Sequence, residues 1–192
     1  MSGGAGVLLL VGGGLLLVLG LAVVVMYNRF VRQVALVEQS WSGIDVELTR
    51  RHELIPNLVE AVRGYAAHER ELLDVLVRAR EDAAAHAGDR PAARGSYEDR
   101  VGSALGRVLA RAEAYPDLRA SEVFLALQDD LALTEDRIAA ARRFYNGNVA
   151  ALNTRVRTVP SNLVAAAFGF DERDFFELAD PAHRAAPTTG LG

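Results

Sequence analysis

The chain contains no cysteine and no lysine; all 21 basic residues among its 192 are arginine. The first absence excludes disulfides, thiol nucleophiles and Cys-ligated zinc. The second is explained more economically by a GC-rich coding bias than by a need for guanidinium groups. The formal charge is −4 with no basic block, so a nucleic-acid partner lacks its electrostatic footprint. Chemistry-bearing patterns are also missing. Di-metal helical bundles need Glu-x-x-His pairs, and none occurs. His52-Glu53 and His68-Glu69 open the zincin pattern, but its second histidine fails at Pro56 and Leu72. There is no phosphate-cradling loop, because Gly12-Gly13-Gly14 falls inside an apolar run. No catalytic constellation is visible, so the chain reads as non-enzymatic, with no cofactor.

That apolar run, Val7 to Met26, is twenty residues without a charge, fourteen of them Leu or Val. At about 1.5 Å per residue it covers roughly 30 Å as a helix, the thickness of a bilayer's hydrocarbon core. No Arg precedes it and no small-residue cleavage site follows, so it reads as an anchor rather than a cleaved signal. The expected bilayer-contacting segment is 7–27, behind a short tail at 1–6. Arg29 and Arg32 follow at once, and the positive-inside rule places the C-terminal domain in the cytoplasm of a single-pass membrane protein.

The remaining sequence reads as helix. Val34, Val37, Trp41, Ile44, Leu48, Ile55, Leu58, Val62 and Tyr65 repeat at three-and-four spacing, with Arg51 the polar exception. Pro56 lies inside this phase. Either it kinks one continuous helix and frees the carbonyl of His52, or it starts a new helix at N1. A reversal is expected near Gly64 to Ala67, then a second helix to about Ala87. Gly88 to Pro91 breaks it, with small, polar, mobile sequence to Gly95 and a third helix from Ser96, Glu98 lying in its first turn. Tyr115-Pro116-Asp117 ends the third helix by turn chemistry. The fourth helix is expected from Leu118 to Val159, since Phe124, Leu131, Ile138, Tyr145, Leu152 and Val159 fall seven apart, with Leu127, Thr134, Ala141, Asn148 and Arg155 interleaved. A lone amphipathic helix cannot bury such a stripe. The spacing therefore predicts an all-α chain, with an elongated, coiled-coil-like, up-and-down four-helix bundle over residues 28–160 behind the anchor.

YNRFV at 27–31, SWSGIDVELTRRHELIPNLVEAVRGYAAHE at 40–69, EAYPDLRASEVFLALQDDLALTEDRIAAARRFYNGNV at 113–149 and VPSNLVAAAFGF at 159–170 resemble the signature blocks of the LemA family. The resemblance implies a bacterial single-pass membrane protein with a four-helix soluble domain and a poorly defined activity; one branch of that family is associated with magnetosome membranes. Glu47, Thr49 and Asp136 depart from the residues common there.

Within these blocks Trp41, Pro56, Asn57, Tyr115, Pro116, Tyr145 and Asn146 read as structural. Trp41 is expected in the core, and Asn57 on backbone freed by Pro56. Asn148 and Arg155 are expected to fix register and pair with acids such as Glu60 or Glu69. Arg50, Arg51, His52, Arg142 and Arg143 are the candidate anion or partner site. The competing reading is a solvated face with pairs such as Glu47 with Arg51. The apolar, aromatic segment 161–180 either lies at the membrane interface or packs against the base of the bundle, and 181–192 reads as disordered. The function this supports is a scaffold or protein-interaction module whose partner is an unidentified membrane or cytoplasmic protein. The alternative is a ligand- or metal-binding sensor.

Overall fold

One unbroken helix carries the apolar run into the polar part of the chain. The computed structural model describes residues 2–65 and 69–178, with side chains from Leu10 onward. Helix α1 spans Ser2–Tyr65, so the residues read as a short tail are helical from Ser2. It holds the one segment among the described residues that is long and apolar enough to cross a membrane. Five more helices follow: α2 (Arg70–Ala85), α3 (Pro91–Ala112), the four-residue α4 (Pro116–Arg119), α5 (Glu122–Arg157) and α6 (Ser161–Phe168). The reversal expected around Ala66 and Ala67 and the tail 181–192 lie outside the described residues.

The chain is continuous through Pro56, which settles the choice between kink and break in favour of one helix. The His52 carbonyl that Pro56 deprives of its helical donor accepts instead from Arg80 Nε of α2 at 2.8 Å. Asn57 is exposed and does not fill that role.

Two further boundaries differ from expectation. α3 starts at Pro91 rather than Ser96, because proline is favoured at the first helical position, where its missing N–H costs nothing. Arg94 and Gly95, read as part of a mobile stretch, are buried. The fourth long helix starts at Glu122, not Leu118, after the short turn of α4. The Ser121 hydroxyl accepts the Phe124 N–H at 3.5 Å, the N-cap pattern. At its far end α5 stops at Arg157, so Val159, placed on the heptad stripe, is 73% exposed.

Two compact units divide within α1 and α5: residues to Ser40 with Gly147–Arg173, and Trp41–Asn146 with the chain from Asp174. In the first unit Phe30, Gln33 and Val37 are buried. Phe170 stacks on Phe30 at 4.8 Å, and Phe168 meets Tyr27 edge-on at 5.0 Å. The Asn148 carbonyl accepts from Gln33 Nε2 at 3.1 Å, and Arg155 Nη1 donates to the Arg29 carbonyl at 3.3 Å. Asn153 grips the backbone of Arg173 at both its N–H and its C=O, each at 2.9 Å.

In the second unit the core runs through Ile55, Leu58, Leu73, Leu76, Val101, Leu105, Val108, Leu118, Phe124 and Leu131. Glu69 binds Arg111 Nε and the Tyr115 hydroxyl, both at 2.7 Å.

Candidate functional site

Charge lies inside the second unit where the sequence pattern asks for apolar side chains. Arg51 occupies a stripe position of α1 between Leu48 and Ile55 and is 1% exposed. Its Nη2 donates to Glu98 Oε2 at 2.5 Å and to the Glu98 carbonyl at 3.2 Å, and its Nη1 to Glu135 Oε1 at 3.0 Å. His52 Nε2 stands 3.1 Å from the same Glu98 Oε2. Arg94, also buried, pairs with Asp45 at 2.7 Å, lies 3.7 Å from Glu98 Oε1 and sits 5.5 Å above the Trp41 ring. Arg51 Nε and Glu98 Oε1 have no hydrogen-bond partner among the described residues.

Burial alone pushes the Glu98 carboxyl up. The His52 hydrogen bond and the charges of Arg51 and His52 oppose that and hold it below the usual carboxylate range. Through Arg51 the Glu98 carboxylate of α3 is tied to α1 and to Glu135 of α5. No cluster of three or more His, Cys, Asp or Glu placed to hold a metal occurs among the described residues.

The five candidate anion-site residues fall into three settings. Arg51 and His52 belong to the Glu98 cluster, so Arg51 pairs across helices and not with Glu47, which lies 4.0 Å from Arg137. Arg50 stands 3.8 Å from Asp130 on the surface. Arg142 and Arg143 line a groove of about 560 Å³, with Arg51 and Glu98 also in its wall. Gly102 and Gly106 of α3 also line it, and an added Cβ at Gly106 would meet nothing. Glycine in a helix interior costs up to about 1 kcal/mol relative to alanine, so here it leaves space rather than permitting close packing.

Trp41, Tyr145 and Asn146 form a separate constellation around the extended segment 174–178. Trp41, expected in the core, is only partly buried and packs against Tyr145 at 5.3 Å and Phe176 at 5.4 Å. A Cβ on Gly95 would run into the Glu177 carbonyl oxygen. An ordinary Gly→Ala change in a helix stabilises. Gly95→Ala is expected to do the opposite and lift this segment, read as faster hydrogen exchange at the Phe176 amide and a red shift of Trp41 emission. A gain in thermal stability with unchanged exchange would contradict the contact.

Sequence reasoning missed Glu98 and Arg94 as buried groups. The signal was present: residues 94, 98, 101, 105, 108 and 112 alternate at four and three, so both charges extend the apolar stripe of α3.

The model of the LemA family matches residues 40–190. Among curated relatives, the magnetosome protein MamQ of Magnetospirillum gryphiswaldense is 25% identical over 174 residues, 78% of this chain and 64% of its own length. Magnetosome protein MamQ 2 of Paramagnetospirillum magneticum is 26% identical over 177 residues, 79% and 64% of the two chains. Protein LemA of Metamycoplasma hominis is 25% identical over 138 residues, 72% and 63%. The chain thus spans just under two thirds of the length of the curated relatives it matches.

Proposed function

Because this chain belongs to the LemA family, we propose that it works as a non-enzymatic scaffold or protein-interaction module, a four-helix domain tethered to the bacterial cytoplasmic membrane. The observation that carries this reading is the character of α1. Its apolar stretch leaves Leu10 79% and Leu16 72% exposed, while the same helix buries Ile44, Leu48 and Ile55 further on. Exposed leucine in such density is stable only where something other than water covers it. Arg29 and Arg32 favour a cytoplasmic domain.

On α5, Phe144 is 62% exposed and Val123 64%, apolar surface available to a protein partner. The chain is expected to stay in the membrane fraction through high-salt and carbonate washes, whereas a chain starting at Arg29 should be soluble and helical. Release of the intact chain by carbonate would sink the tether. A phosphatase fused at the C-terminus should be inactive and a fluorescent protein bright; the reverse would place the domain outside. A photo-crosslinker at position 144, used in native membranes with mass-spectrometric identification, tests the partner.

A second reading, a ligand-binding sensor, is favoured by the groove that Gly102 and Gly106 leave beside Arg142 and Arg143. Gly106→Leu, which fills it, should spare partner crosslinks from position 144 if the scaffold reading holds and remove them if the groove governs partner binding.

A further inference from the structure

The segment 174–178 is held by contacts that read its backbone. Asn146 donates from Nδ2 to the Phe176 carbonyl at 3.0 Å and accepts the Phe176 N–H at 2.9 Å. The Tyr145 hydroxyl donates to the Asp174 carbonyl at 2.8 Å, and Arg142 Nη1 to the Leu178 carbonyl at 3.0 Å. One side chain of the segment is fully buried: Phe176, 0% exposed and edge-on to Trp41, while its neighbour Phe175 is 41% exposed. Bare backbone at Gly95 admits the Glu177 carbonyl. Among the described residues the segment makes no backbone–backbone hydrogen bond. Main-chain hydrogen bonds for affinity and one pocket for a selected side chain are the two ingredients of extended-peptide recognition.

We propose that this groove is a peptide-recognition site, occupied in cis by residues 174–178 and in trans by the same segment of a second copy of the chain, giving an exchanged pair. Exchange costs little because an identical segment re-forms each contact. What selects a second copy as the occupant is the sequence Asp-Phe-Phe-Glu-Leu itself, seen seated with its aromatic in the pocket and its carbonyls on the donors, and carried by every copy.

Trp41, the sole tryptophan, reports on the groove. The full chain in nanodiscs is titrated with a synthetic peptide of residues 171–178. A saturable change in Trp41 emission is expected. Methylating the Phe176 nitrogen of the peptide, which removes the N–H that Asn146 accepts, should weaken binding about tenfold. For the exchange, two differently tagged copies are produced together with a benzophenone amino acid at position 175. Crosslinks from position 175 of one tag to residues around Tyr145 of the other are expected. Asn146→Asp, which keeps the acceptor and loses the Nδ2 donor, should reduce both signals about fivefold or more with unchanged helical circular dichroism. Equal binding of the methylated peptide would overturn backbone recognition. Crosslinks confined to single chains would overturn the exchanged pair, even if the peptide binds.

Discussion

Arg51→Met is expected to cost roughly 3–5 kcal/mol of folding stability, because it leaves the Glu98 carboxylate buried without its shortest partner. His52 and Arg94 stay near Glu98, at 3.1 and 3.7 Å, but neither replaces the two bonds from Arg51 Nη2. Arg51→Met combined with Glu98→Leu should recover most of the loss, since an ion pair exchanged for apolar side chains of similar volume is often close to neutral. Denaturant titration of the detergent-solubilised chain, followed by helical circular dichroism, measures both. A double variant no better than the single would mean that Glu98 is not what Arg51 neutralises. The cluster also sets a pH dependence. Glu98 titrates below its unfolded value, so its contribution is complete above the ordinary glutamate range, about 4.3, and is lost as pH falls through the lower folded value. Glu98→Gln should flatten the acid limb of the stability curve.

Ile138→Ala should cost about 2–5 kcal/mol, for a different reason. Ile138 is 1% exposed on the inner face of α5, and truncation loses apolar contact and leaves a cavity among side chains that relax only in part. Asp130, two turns earlier on the same helix, has a side chain 51% exposed and stands 3.8 Å from Arg50, itself 41% exposed. Asp130→Ala should therefore change stability by less than about 0.5 kcal/mol, as surface pairs and exposed positions do. Equal effects from the two substitutions, measured as above, would contradict the orientation of α5.

The apolar periodicity of α5 was legible in the sequence and survives in the structure: Phe124, Leu131, Ile138, Tyr145 and Leu152 are all buried. It fails at Val159, where the helix has already ended. Beyond Tyr145 the buried face also drifts to Val149, because 3.6 residues per turn do not keep a seven-residue register without supercoiling. Helix starts were the least legible part. Pro91 and Glu122 begin helices through local N-terminal chemistry, whereas the expected starts were Ser96 and Leu118. The segment after Pro160 carried an aromatic signal without a direction. Side chains distant in sequence place it: Asn153 on Arg173, Asn146 on Phe176 and Phe30 on Phe170.

By itself, the sequence determined the helical character of the chain, the uncharged span from Val7 to Met26 and the inward faces of α1 and α5, because each is a property of spacing along one helix. Only the tertiary structure decided which acid meets Arg51, where Arg94 goes, what satisfies the His52 carbonyl and which amides hold 174–178. Those choices rest on partners 28 to 84 residues apart, brought within hydrogen-bond reach by packing. A charge at a stripe position reads as an exception in one helix; it becomes a site only when a second helix brings the opposite charge to the same depth.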